Sequence, residues 1–211
     1  MPPRKTSSAV EQRHEEAKER LLDLAQYIAI EHGYDHFSLR ELARQAGISA
    51  PSLYEYFPNK EAVMQAVGER MSDALAAAML RAYKRSSNPK QCLVAMSLAY
   101  IRTALRNPET FRLLFNLISP ADHPSDYYPP NSCFDLLRDA VSDLVGPASA
   151  HDDLLDSLTY GCWALIHGMA VLQLTHLSNT EFHFSAADRL IITQFVDSLP
   201  TLAESNAEPD S

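Results

Sequence analysis

The chain has only six glycines in 211 residues, three cysteines and one tryptophan. So little glycine, with no stretch of strict apolar–polar alternation, argues against a sheet-rich protein and for helices throughout. Cys92, Cys133 and Cys162 are odd in number and far apart in the chain, which speaks for reduced thiols rather than a disulfide framework or a cysteine-based zinc site. No apolar run approaches the roughly 20 residues of a membrane span. The opening segment MPPRKTSSAV has two basic residues but no apolar core, so neither a secretory leader nor a membrane partner is expected, and the expected location is the cytoplasm. The G-x-S-x-G, P-loop, dinucleotide, H-E-x-x-H and C-x-x-C patterns are absent as well. Eight histidines are present, but His32, His36, His123, His151, His176 and His183 fall in turns, loops or helix ends without ligand spacing. No catalytic set, metal or cofactor is therefore expected.

Charge is unevenly spread. Residues 1–68 carry a net −2 and residues 69–211 a net −7, together the −9 of the whole chain. The acidity thus sits mostly outside the N-terminal third, where a local basic surface remains possible. Apolar spacing predicts an all-α protein of about nine helices: residues 8–31, 38–46, 49–57, 59–84, 89–106, 108–118, 131–145, 150–177 and 186–199. Gly33 and Gly47 are placed to end helices, Ser38 with Glu41 reads as a capping box, and Pro51 falls in a first turn, where its missing N–H costs nothing. The segments 85–90 and 119–130 read as linker and proline-rich loop. The expected organisation is a head at 8–68, a larger helical domain at 69–200, and a polar, disordered tail at 201–211.

One stretch carries chemistry: FSLRELARQAGISAPSLYEYFPNKEAV. Two short helices meet at Gly47, Ala43 is small enough for them to cross closely, and Leu42, Ile48, Leu53 and Phe57 are spaced to point inward. The second helix is then about one and a half turns long and exposes Ser49, Ala50, Ser52, Tyr54 and Glu55, a size and polarity that suit a DNA major groove. Tyr54 and Tyr56 carry hydroxyls for phosphates, and Lys60 starts the next helix, where anions are favoured. A bare αα-hairpin that packs and does nothing else has the same outline. The order G-I-S-x-x-x-L-Y-x-Y-F-x-N-K-E, however, closely resembles the N-terminal domain of the TetR family of transcriptional regulators, on Ser38, Leu39, Ala43, Gly47, Ser49, Leu53, Tyr54, Tyr56, Phe57, Lys60 and Glu61. That resemblance implies DNA contacts at Ser38 and Arg40, at Ser49, Ala50, Pro51, Ser52, Tyr54 and Glu55 of the recognition helix, and at Tyr56 and Lys60 as phosphate clamps. Glu55 departs from the aromatic or basic residues often found at its position. As an acid it either accepts from a cytosine amino group or points aside. Arg4 and Lys5 form either a minor-groove arm or a disordered basic tail.

In the remainder, Leu154, Leu158, Gly161, Leu165, Gly168 and Leu172 make one apolar stripe of the helix at 150–177, and Tyr160, Trp163, His167, Ala170 and Leu174 make another on roughly the opposite face. A helix apolar on both faces needs cover on both. A second copy of the chain is a natural source, with Leu190, Ile191, Gln194, Phe195 and Leu199 of the last helix completing a four-helix interface. The segment CWALIHGMAVL is similar to the Trp–His–Gly signature of one TetR C-terminal subgroup. Two readings stay open for the second stripe: a pocket wall where Tyr160, Trp163 and His167 meet a ligand, facing Met96, Tyr100, Phe111, Leu114 and Phe115, or a core tryptophan with a hydrogen-bonded core histidine.

The resemblance implies a homodimer that binds a palindromic double-stranded DNA operator and is released by a small-molecule effector, most often acting as a repressor. The alternatives are a helical adaptor whose head binds protein, or an enzyme that uses the C-terminal pocket.

Overall fold

The computed structural model describes residues 6–117, 132–146 and 152–201. The proposed Arg4–Lys5 arm, the proline-rich loop, His123, His151 and tail residues 202–211 lie outside the described residues. Within them the chain is built from nine helices: α1 (Thr6–His32), α2 (Leu39–Ala46), α3 (Ala50–Tyr54), α4 (Lys60–Tyr83), α5 (Pro89–Arg106), α6 (Pro108–Leu117), α7 (Cys133–Val145), α8 (Asp152–Leu174) and α9 (Phe184–Asp197).

The helices begin and end for identifiable local reasons. The Ser38 Oγ accepts from the Glu41 amide at 3.2 Å, the Ser49 Oγ from the Ser52 amide at 3.2 Å, and the Asn59 Oδ1 from the Ala62 amide at 2.7 Å. Each satisfies a first-turn donor that has no intrahelical partner. Gly33 and Gly47 end α1 and α2 with φ of 80° and 68°, a left-handed backbone that other L-residues resist. The capping box at α2 forms by half. Glu41 does not reach back to the cap but accepts from Arg44 at 2.5 and 2.8 Å and from Gln45 at 2.7 Å. These hydrogen bonds, Arg44's first, hold its carboxyl down to about 2. Helix α8 stops at Leu174, short of the expected 177, where the Leu177 N–H folds back onto Leu172 O at 2.9 Å.

The chain divides into two compact units. The first comprises Met1–Met71 with Glu109–Asp122. Its core joins Leu21, Ala25 and Ile28 of α1, Leu42 of α2, Leu53 of α3, Phe57, and Val63, Met64 and Val67 of α4. Helix α6 closes this core with Leu113. The Thr110 hydroxyl accepts from Gln26 of α1 at 2.9 Å. A Cβ at Gly68 of α4 would stand 3.3 Å from Leu114, so α6 lies close over α4 there. The second unit comprises Ser72–Pro108 with His123–Ser211, and in it α5 packs on α7, α8 and α9. No described helix is long and apolar enough to cross a membrane.

Gly47 tests the turn. A Cβ built there meets nothing within 4 Å, so only backbone strain opposes a side chain. Gly47→Ala should cost about 1–2 kcal/mol in chemical denaturation, and Gly47→Asn less, because asparagine tolerates this conformation. Equal stability of wild type and Gly47→Ala would show that the turn does not need the left-handed backbone.

Candidate functional site

Helix α3 is five residues long, and its inner side is filled by Leu53, buried against Leu42 of α2. Its outer side follows from that burial. Ala50, Pro51, Tyr54 and Glu55 are exposed, Tyr54 by 56%, and Ser38, Arg40 and Ser49 are exposed beside them. Ser52 is half-buried, and its Oγ lies 2.8 Å from that of Ser49, a bond that leaves its hydroxyl further capacity for an outside partner.

The two expected phosphate clamps are seated by residues that the sequence pattern did not single out. Tyr56 stacks on His14 of α1, with ring centroids 4.4 Å apart and planes 13° from parallel. The Lys60 ammonium donates to the Tyr34 carbonyl at 2.6 Å and lies 4.1 Å from the centre of the Tyr34 ring. A lysine ammonium has three donors, so two remain for an anion. The geometry therefore presents a short exposed helix with a tyrosine and a lysine fixed just after it, a hydroxyl and a positive charge held at defined places.

In the second unit an aromatic group gathers around α8. Tyr100 of α5 is fully buried, and its hydroxyl lies 3.0 Å from Nδ1 of His167. The Trp163 and His167 rings stack, with centroids 5.8 Å apart and planes 5° from parallel, and the Trp163 ring meets Tyr100 and Phe134 edge-on at 5.3 and 6.4 Å. Burial lowers the His167 pKa and raises that of Tyr100. Tyr160 does not join this group but stands 68% exposed, since α8 turns its side chain away from the packed face. Phe111, Leu114 and Phe115 belong to α6, which clusters with the first unit. There Phe111 and Phe115 pack ring on ring at 4.7 Å and Leu114 faces Gly68. Apolar spacing within α6 could not say which unit its buried face would join. Met96 is fully buried and lines a separate cleft of about 290 Å³ with Leu80, Tyr83, Leu136 and Asp143. There Tyr83 donates to the Asp143 carboxylate, and that bond, with burial, pushes the phenol up to about 12.

The other stripe of α8 is largely open. Leu154 and Leu172 are 47% exposed, and Leu158, Leu165 and Gly168 are half-buried. On α9 Leu190, Ile191 and Gln194 are exposed. Gly161 does serve close helix approach, but to α9 of the same chain: a Cβ there would stand 3.3 Å from the Phe195 ring. Phe195 is accordingly half-buried within the protomer. Burial pushes the Cys133 and Cys162 thiols up to about 12, which leaves both unreactive at neutral pH. Among the described residues no group of three or more His, Cys, Asp or Glu is placed to hold a metal.

Comparison with known proteins matches both units. A family model described as "Bacterial regulatory proteins, tetR family" matches residues 21–67, and one described as "Tetracyclin repressor-like, C-terminal domain" matches residues 93–193. The chain is 26% identical over 131 residues to the HTH-type transcriptional activator FasR of Mycolicibacterium smegmatis, covering 61% of this chain and 60% of that protein. It is 30% identical over 122 residues to the HTH-type transcriptional repressor ComR of Escherichia coli, covering 56% of this chain and 50% of that protein. The aligned region thus spans about half to three-fifths of the length of these curated relatives. Among solved structures, a TetR family transcription regulator from Marinobacter aquaeolei superposes with a TM-score of 0.61 at 21% identity, over 90% of this chain and 99% of that one. A protein of unknown function from a Rhodococcus species superposes with a TM-score of 0.69 at 23% identity, over 88% and 96%. At these identities the structural likeness speaks for the fold alone.

His167 gives the site a pH signature. Its lowered pKa means that the folded state favours the neutral ring. The resulting stabilisation is present above the unfolded imidazole value of about 6.5 and is lost as pH falls through and below it. Urea unfolding should show wild-type stability falling between roughly pH 7.5 and 5.5, and His167→Gln, which cannot titrate, should fall by less. Identical falls in the two proteins would remove His167 as a cause.

Proposed function

The chain belongs to the TetR family of bacterial regulatory proteins, and from that premise we propose that it is a ligand-responsive transcriptional regulator that binds a palindromic DNA operator in the cytoplasm as a homodimer. The observation that carries this reading is the first unit's outer face. A short helix exposes Tyr54 and Glu55, Arg40 is exposed on α2, and Tyr56 and Lys60 follow α3, packed on His14 and Tyr34. In this reading α3 enters the major groove, Ser49, Ala50, Pro51, Tyr54 and Glu55 meet base edges, and Ser38, Tyr56 and Lys60 hold phosphates.

Two copies pair through the open stripe of α8 and the exposed Leu190 and Ile191 of α9, which sets their recognition helices about one DNA turn, roughly 34 Å, apart. Repression with release by an effector is the reading we favour, and the second unit, with Trp163, His167 and Tyr100 at its aromatic centre, is where the effector acts. The effector must bind the DNA-competent and DNA-released states unequally to have any effect.

Two experiments test this. Fluorescence anisotropy with the chain's own upstream DNA should show that Lys60→Ala weakens binding to every sequence and lowers the magnitude of the salt slope by about 0.9. Glu55→Gln should instead change the preference among operator variants. Equal effects of both substitutions on every sequence would contradict this division of roles. In sedimentation, the double substitution Leu190→Glu with Ile191→Glu should move the protein from dimer to monomer and lower operator affinity, because it places charge at the core of an apolar contact. A dimer that survives both substitutions would put the interface elsewhere.

A further inference from the structure

The second unit holds a cleft that neither the aromatic group nor the DNA-facing surface accounts for. Its volume is about 410 Å³, within the ~300–1,000 Å³ range of small-molecule sites. Leu98, Ile101, Arg102 and Leu105 line it from α5, Gln173 from α8, and Ser185, Ala186, Asp188 and Arg189 from α9. The α5 residues follow the spacing of one helical stripe. Leu98 and Ile101 are buried and form an apolar floor, with the Arg102 side chain at its edge.

Two arginines from different helices line this cleft. Arg102 and Arg189 are both exposed, and neither has an ion-pair partner among the described residues. A single exposed arginine on a helix is usually just a solvated charge. Two facing one apolar cleft are a different arrangement, because each offers the planar fork that fits a carboxylate with two hydrogen bonds. The wall also holds one carboxylate, Asp188, which is buried and accepts from Nε2 of Gln173, itself a lining residue, at 3.0 and 3.2 Å. Ser185 and Ala186 lie in the first turn of α9, whose amides lack intrahelical acceptors, and His183 supplies no side-chain cap there. Positive charge, open amides and an apolar floor therefore meet in one place.

We propose that this cleft binds a small organic acid, with its carboxylate held by Arg102 and Arg189 and its apolar body lying on Leu98, Ile101 and Leu105. The site shares no residue with the Tyr100–Trp163–His167 group and does not depend on the DNA-binding reading. An occupant of this kind joins α5 to α9 through its charged end and covers apolar surface with its chain, so charge and chain each contribute to affinity.

Calorimetric titration of the full chain with octanoate, octan-1-ol and octylamine tests the proposal. Octanoate should bind saturably at one site per chain and more tightly than either analogue. The double substitution Arg102→Gln with Arg189→Gln should weaken octanoate by about tenfold or more and leave octanol unchanged. Both side chains are exposed, so the variant should fold, and an unaltered melting profile would establish that. Trp163→Leu should leave octanoate affinity unchanged. Absence of saturable octanoate binding, equal binding of octylamine, indifference to the arginine substitutions, or loss of octanoate binding in Trp163→Leu would each overturn the assignment.

Discussion

The first unit depends on one backbone conformation, the left-handed turn at Gly47. With φ at 68°, the chain leaves α2 and enters α3 at an angle that lets Leu42 and Leu53 bury against each other in a shared core. Full burial of each leucine is worth about 1.5–3 kcal/mol, so the turn and the core reinforce one another. Serines cap both short helices and fix where each begins. Once the inner side of a five-residue helix is set in this way, its outer side has no freedom left. Ala50, Pro51, Tyr54 and Glu55 face outward because Leu53 faces inward. The exposure of that face is a consequence of packing on the other.

The same logic explains what could be read from the sequence. Caps and glycine stops are local, so the starts of α2, α3 and α4 at Ser38, Ser49 and Asn59 could be placed almost to the residue. The apolar duplication of α8 is also local and visible. Pairings between distant segments were not legible. Nothing near Tyr56 announces that His14 stacks beneath it, and nothing near Lys60 names the Tyr34 carbonyl as its seat. Helix α6 has an apolar face, but only the fold shows that Leu113 completes the first unit's core. Glu41 had the right spacing for a capping box, yet a guanidinium one turn away binds a carboxylate more strongly than a backbone amide does, and Arg44 took it. Tyr160 shares a stripe with Trp163, but a stripe about 100° wide has edges, and Tyr160 lies on the outer one.

The second unit contains two chemically distinct interiors. Around Trp163 the polar groups satisfy one another, with Tyr100 and His167 hydrogen-bonded within a ring of aromatic contacts. Burial there favours the neutral imidazole. Between α5 and α9 two arginines line a cleft with an apolar floor, and neither makes an ion pair among the described residues.

The measurement that bears most directly on the central claim is selection of bound fragments from a random DNA pool at two salt concentrations. A dimer that reads DNA through α3 will enrich a near-palindrome with half-sites about one helical turn apart, and the enriched sites will bind more weakly at the higher salt, as phosphate contacts require. Weak, salt-dependent retention with no enriched sequence would contradict the claim that residues 38–60 form a sequence-reading surface.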